Sequence, residues 1–158
     1  LSCSGVYVDR DLFLCHRFSE APALVASEDW HCWIRVATDC LPECCPGGGA
    51  LLVDHASRTM AVDRWEVAER RFAMLTEDLL ASPAAREFLE PNLALFRATQ
   101  DHYVAVKAVR QGAFGVSMVR FMRSVRRFPP LLMTRRTLHL LRLWCRFLFV
   151  PSQRGDPG

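Results

Sequence analysis

Lysine, isoleucine and asparagine are almost missing from this chain of 158 residues, since each occurs once, at Lys107, Ile34 and Asn92. The codons of all three are AT-rich, so their scarcity predicts a GC-rich coding sequence of the kind found in some DNA viruses and vertebrate genes. Nineteen of the twenty basic residues are consequently arginine. The preference for arginine therefore has a codon explanation beside any chemical one.

Long apolar runs are also missing. A bilayer-spanning helix needs roughly 20 apolar residues, and the most apolar window, Leu138 to Val150, is interrupted by Arg142 and Arg146. The sequence therefore predicts no transmembrane segment. A content of 51% hydrophobic and 23% charged residues is typical of a folded globular chain. We expect a single domain over residues 1–150 and a flexible tail over residues 151–158.

Acidic residues are missing from most of the second half. Residues 1–100 contain nine arginines and fifteen acids, a net charge of −6, whereas residues 101–158 contain eleven basic and two acidic residues, a net charge of +9. No acid lies between His102 and Gly155. Such asymmetry predicts an anionic partner for the basic half, or docking of one half on the other.

The first 64 residues carry patterns typical of strands. Residues 6–18 alternate loosely between apolar and polar side chains, and residues 31–40 hold the apolar cluster Trp33, Ile34 and Val36, which favours a strand over a short helix. Two apolar runs, Ala50–Val53 and Thr59–Val62, flank the polar segment "DHASR" and predict a β-hairpin.

From Trp65 onward the apolar period becomes that of helices. We therefore predict an α+β fold, with a strand and hairpin part over residues 1–64 and four or five amphipathic helices over residues 65–150. The last two helices are separated by Pro129-Pro130. The apolar positions of the first of them are Phe114, Met118, Phe121, Met122 and Val125. Those of the second include Leu138, Leu141, Cys145 and Leu148.

Arginines line the other side of both helices at helical spacing. The candidate binding residues are Arg120, Arg123, Arg127, Arg135, Arg142 and Arg146. Arginine forks bind carboxylates and phosphates. The main interpretation is an interaction protein that binds a protein partner with an acidic surface. Alternatives are a regulator that binds RNA or DNA, a helix on an anionic membrane, and a merely solvated face.

Six of the seven cysteines lie in the first 45 residues. In an oxidising compartment they predict disulfides, as in a secreted or virion-surface subunit. In a reducing compartment they are either buried thiols or zinc ligands. The candidate zinc ligands are His31, Cys32, Cys40, Cys44, Cys45 and His55. Because no Cys-x2-Cys pair is present, we expect no cofactor. We also favour an intracellular location over a secreted one.

No signature of an enzyme is present. No cysteine stands in a nucleophile motif, and the run Gly47-Gly48-Gly49 precedes a predicted strand where a phosphate loop would precede a helix. We therefore predict that the protein is not an enzyme. The tripeptide Arg154-Gly155-Asp156 in the tail matches an integrin-recognition sequence.

Three segments resemble herpesvirus proteins. The stretch "CCPGGGALLVDHA" resembles the Cys-Pro-Gly and apolar strand of glycoprotein L, the small subunit of the viral entry complex, and "NLALFRATQDHY" resembles its helical segment. The stretch "TMAVDRWEVAERRFAMLTEDLL" resembles the repeat of a betaherpesvirus tegument family that blocks host defence. These resemblances imply a herpesvirus-encoded accessory protein that acts on host factors.

Overall fold

The computed structural model describes residues 6–43 and 64–149, and every regular element in those ranges is a helix. The seven α-helices there, labelled α1 to α7 in chain order, are Arg10–Cys15, Glu28–Asp39, Trp65–Ala81, Pro83–Leu89, Leu93–Arg110, Phe114–Arg127 and Arg135–Phe149. Short 3-10 turns occupy Pro22–Leu24, Glu90–Asn92 and Pro129–Met133. The predicted α+β class is therefore wrong, because the described residues form helices and contain no strand.

Helix α1 replaces the strand predicted over residues 6–18. Asp9 precedes the helix, and its Oδ1 accepts hydrogen bonds from the backbone N–H groups of Asp11 at 2.8 Å and Leu12 at 3.2 Å. An aspartate in this position satisfies N–H groups that a helix leaves without partners in its first turn. The cap outweighs the loose alternation of apolar residues that favoured a strand.

Helix α2 replaces the strand predicted over residues 31–40. Its first turn carries Glu28 and Asp29, whose negative charge is favourable at a helix N-terminus. The helix buries Cys32 and Val36, which lie one turn apart on the same face. The predicted hairpin of residues 50–62 lies outside the described residues.

The chain divides into two compact units. Within the described residues, the first comprises residues 6–43 and 70–91, and the second comprises residues 64–69 and 92–149. The prediction of one domain over residues 1–150 stays a prediction.

The first unit has a small apolar core in its described part. Helix α2 packs against α4, and the ring of Trp30 on α2 lies 5.8 Å from that of Phe72 on α3. The fully buried aliphatic side chains of this unit are Leu75 and Leu79, spaced one helical turn apart on α3. The helix predicted to begin at Trp65 is present.

The second unit is built around α5, which packs against both α6 and α7. Its core consists of Ala105, Val109, Phe121, Leu140 and Trp144. The indole N–H of Trp144 donates a 2.8 Å hydrogen bond to the buried hydroxyl of Ser117, and the rings of Trp144 and Phe121 meet edge to face at 5.2 Å. Trp144 therefore fixes α7 against α6 through both its polar and its apolar atoms.

Two local devices end α5 and start α7. Gly112 follows α5 with φ of 80°, a left-handed conformation that favours glycine. Pro129 and Pro130 begin the 3-10 turn after α6. The hydroxyl of Thr137 donates a 2.6 Å hydrogen bond to the carbonyl oxygen of Leu131, which ties the first turn of α7 to that 3-10 turn.

Candidate protein-binding face on the last helix

The six candidate arginines divide equally between α6 and α7. Arg120, Arg123 and Arg127 lie on α6. Arg135, Arg142 and Arg146 lie on α7. The two sets have different surroundings in the folded chain, which the sequence spacing does not distinguish.

Two of the α6 arginines are bound by acids of the same unit. Asp101 on α5 is a buried carboxylate whose side chain is 7% exposed. It accepts hydrogen bonds from Arg120 Nη1 at 3.3 Å and from Arg127 Nη1 at 2.5 Å. Arg120 also forms an ion pair with Glu69. Arg120 and Arg127 therefore hold α5 and α6 together, and their charges are already compensated.

The remaining candidates are exposed. Arg123 on α6 and the three α7 arginines form no ion pair within the described residues. Two neighbours that sequence analysis did not include, Arg126 and Arg136, share this state. The charge predicted for the basic half is therefore presented mainly by the outer sides of these two helices.

Helix α7 exposes the apolar positions that the sequence singled out. Leu138 is 56% exposed, Leu141 40% and Leu148 59%, and Cys145 is also exposed. Their spacing is i, i+3, i+7 and i+10. We call this set of four side chains the α7 seam. The side chains that α7 buries are instead Thr137, Leu140 and Trp144.

A basic row runs beside the seam. Arg135, Arg142 and Arg146 are spaced i, i+7 and i+11, which places them on one side of the α7 seam at about 100° per residue. Leu138, Leu141, Arg142, Cys145 and Arg146 contribute to the lining of a shallow groove of about 500 Å³ along this face. The outer face of α7 thus combines apolar surface with unpaired positive charge.

Helix α6 differs from its predicted packing at one position. Phe121 lies in the core, and Phe114, Met118 and Val125 pack against it, as the apolar pattern predicts. Met122 is instead 51% exposed. The buried face of α6 is completed by Ser117 and Ser124, both with 0% exposure. These small polar residues escape a search for apolar periodicity.

The candidate zinc ligands in the described residues are bound to other groups. His31 is buried, and its Nε2 lies 2.6 Å from Oδ2 of Asp78. The thiol of Cys32 donates to the carbonyl oxygen of His16 at 2.8 Å, and that of Cys40 donates to the carbonyl oxygen of Val36 at 3.5 Å. The described ranges contain no group of three or more side chains placed to hold a metal. Cys44, Cys45 and His55 lie outside those ranges.

Among the described residues, Cys15, Cys40 and Cys145 are free thiols. Cys32 is buried and the other three are exposed. The tripeptide of residues 154–156 lies outside the described residues. Among the described helices, none combines the length and apolarity that crossing a membrane requires.

Two further polar features were not visible in the sequence pattern. His16 Nε2 lies 2.6 Å from Oδ2 of Asp39, and this hydrogen bond, with a smaller one from Thr38, lowers the pKa of the Asp39 carboxyl. His102 on α5 is buried beside Phe121. Burial lowers the pKa of His102 because the charged imidazolium is poorly solvated there. The backbone of Arg136 acts in the opposite direction, and the charges of Arg136 and His139 add to the lowering.

Comparison with known proteins places the chain in no group. No protein family model matches it, and neither a curated protein nor a solved structure does.

Proposed function

We propose that this protein is a non-enzymatic interaction factor that binds a protein partner with an acidic surface through the outer face of α7. The observation that carries the proposal is the basic row of Arg135, Arg142 and Arg146 beside the exposed α7 seam. Interfaces between proteins combine an apolar centre with polar groups at the rim, and arginine is enriched in them.

The apolar side chains favour a protein over a nucleic acid as the main partner. Burying a leucine completely contributes about 1.5–3 kcal/mol, so each half-exposed leucine of the α7 seam contributes roughly 1 kcal/mol when covered. A phosphate backbone offers no apolar surface to cover them. The internal pairing of Arg120 and Arg127 also removes two of the six arginines from any continuous phosphate-binding row.

A nucleic-acid-binding regulator is the second candidate. The observation in its favour is that Arg123, Arg126, Arg135, Arg136, Arg142 and Arg146 are all exposed and lie on two consecutive helices. Binding of this kind weakens steeply with salt, because each phosphate contact releases a counterion.

We further propose that the protein is a viral factor and that the partner is a host protein. The arginine-rich, lysine-poor composition and the short resemblances to herpesvirus proteins support it. The exposed face of α7 gives such a factor a surface for a host protein.

The test is a selection from a displayed library of random peptides against the full chain. We expect the wild type to enrich peptides rich in Asp and Glu. The double variant Arg142→Glu/Arg146→Glu should lose those peptides, since like charges repel across an interface. The matched control is Arg123→Glu/Arg126→Glu, which makes the same change of net charge on exposed, unpaired arginines of α6.

Three results separate the candidates. Loss of acidic peptides in the α7 variant alone supports the proposed face. Equal loss in both variants means that only net charge matters and contradicts it. Binding of a random-sequence single-stranded oligonucleotide that falls steeply with salt, without enrichment of acidic peptides, favours the second candidate.

A further inference from the structure

We infer that the partner segment seated on the α7 seam is a single acidic amphipathic helix. This inference rests on the proposed function and adds to it the conformation and the residue spacing of the bound segment. Three observations carry it: the spacing of the exposed apolar side chains, the position of the basic row, and the absence of acids from the surrounding sequence.

The spacing of the α7 seam is that of a paired helix. Leu138, Leu141, Cys145 and Leu148 repeat at intervals of three and four residues, as the a and d positions of a heptad do. The seam lies on a helix that Thr137, Leu140 and Trp144 already hold against the rest of the unit. A partner helix with the same spacing can therefore insert its side chains without any rearrangement of α7.

The narrowness of the seam argues against a lipid surface. A helix lying in a membrane interface turns a broad apolar face toward the lipid, whereas a stripe of a and d positions alone is the width of one facing helix. The basic row begins directly beside the stripe, because Arg142 lies one helical turn after Leu138. Phe147 and Phe149 widen the exposed apolar surface at the end of α7. Along the preceding turns, the basic row limits the apolar surface on that side to what one helix covers.

Charge complementarity excludes pairing between the α7 helices of two copies of this chain and calls for an acidic segment. Arg135, Arg142 and Arg146 have no carboxylate partner within the described residues. Another copy of α7 brings none, because the sequence from His102 to Gly155 contains no acid. A partner with Asp or Glu along one edge of its apolar stripe pairs with all three arginines at once.

The experiment uses the full chain and three synthetic peptides of one length and composition. The first has leucines at i, i+3, i+7 and i+10 with glutamates along one edge, and the second is a scramble that breaks this spacing. The third keeps the order of the first but has its central residue exchanged with a proline from its end, which interrupts the helix. Affinity is measured by fluorescence anisotropy, and alkylation of each cysteine is followed by mass spectrometry.

We expect only the first peptide to bind and to slow alkylation of Cys145 by about tenfold when the peptide is present at about ten times its Kd, because only roughly a tenth of the protein is then free. Cys15 and Cys40, which are exposed on the first unit, serve as internal controls and should react at an unchanged rate. The variant Leu138→Ser/Leu141→Ser/Leu148→Ser should lose the binding. These side chains are exposed, so the variant should retain the wild-type circular dichroism spectrum and unfolding midpoint.

Several outcomes overturn the inference. Equal binding of the first and second peptides would show that the partner is acidic but that the leucine spacing of a helix is not required. If the triple serine variant still binds the first peptide, the α7 seam is not the binding site. No binding of any acidic peptide, together with a failed library selection, removes the proposed function as well.

The other classes of partner are tested in the same assay. Protection of Cys145 by vesicles containing phosphatidylserine, or by a single-stranded oligonucleotide, without protection by the first peptide, overturns the inference in favour of that class. Self-association of the chain in sedimentation that is abolished by the triple serine variant overturns it in favour of a second copy.

Discussion

Helices α6 and α7 carry arginines at similar spacing, and the folded chain uses them differently. On α6, Arg120 and Arg127 pair with Asp101, and Arg120 also pairs with Glu69, so these side chains stabilise the unit. On α7, the arginines have no acidic neighbour among the described residues and lie beside exposed leucines. A row of arginines therefore has a structural or a binding role according to where the few acids of the chain are placed.

The largest expected effect comes from breaking the ion pairs of α6. Asp101→Ala leaves two arginines without their shared, buried carboxylate, and loss of one partner from a buried pair costs about 3–5 kcal/mol of the free energy of unfolding. Urea denaturation followed by circular dichroism measures it. The matched control is Glu87→Ala, which removes an exposed acid and should change stability by less than about 0.5 kcal/mol. Equal effects of the two variants would contradict the structural role of the α6 arginines.

The second prediction compares the two faces of α7. Leu140 is fully buried and Leu138 is 56% exposed, two residues away on the same helix. Leu140→Ala should destabilise the protein by about 2–5 kcal/mol because it leaves a cavity, whereas Leu138→Ala should cost less than about 1 kcal/mol. The same urea titration compares them. A larger loss for Leu138→Ala would mean that the α7 seam belongs to the core and would remove the proposed binding face.

The smallest expected effect is the dependence of stability on pH through His102. This residue follows Asp101 on α5 and, unlike Asp101, is buried without an ion pair among the described residues. Burial lowers the pKa of His102 in the folded state below its ordinary value of 6.5, so the unfolded chain binds more protons as the pH falls. The stabilisation by neutral His102 is complete above pH 6.5 and is lost as the pH falls through the folded-state pKa.

His102→Gln removes this titration. Its free energy of unfolding should fall less than that of the wild type between pH 7.5 and pH 5 in parallel urea titrations, whatever its offset at neutral pH. Identical slopes for the two proteins would show that His102 does not couple protonation to folding.

The sequence predicted the helices from Trp65 onward well, because long amphipathic segments with a regular apolar period have one favourable conformation. It failed for α1, which has only six residues, and for α2, which is rich in β-branched and aromatic residues. Their helical signals were local: the capping side chain of Asp9, and the acids Glu28 and Asp29 in the first turn. The strand-like apolar pattern of the same residues conceals such local signals in the sequence.

The candidate site was predictable only in part. The row on α7 was visible from spacing alone, but the compensation of Arg120 and Arg127 depends on Asp101 and Glu69, which lie 19 and 51 residues before Arg120. The exposure of the α7 seam was equally hidden, because α7 packs through Thr137, Leu140 and Trp144. Helix α7 therefore packs through a face that contains a threonine, and the face with three leucines is exposed.

Helix α3 begins in the second unit and continues into the first, and this limits how the chain can be shortened. The second unit needs Glu69 as a partner of Arg120, and the backbone N–H of Trp65 donates a 3.1 Å hydrogen bond to the side-chain oxygen of Gln111. A fragment that starts at Asn92 lacks both contacts. The shortest continuous fragment that keeps the described part of this unit whole is residues 64–149, which retains residues 70–91 of the first unit.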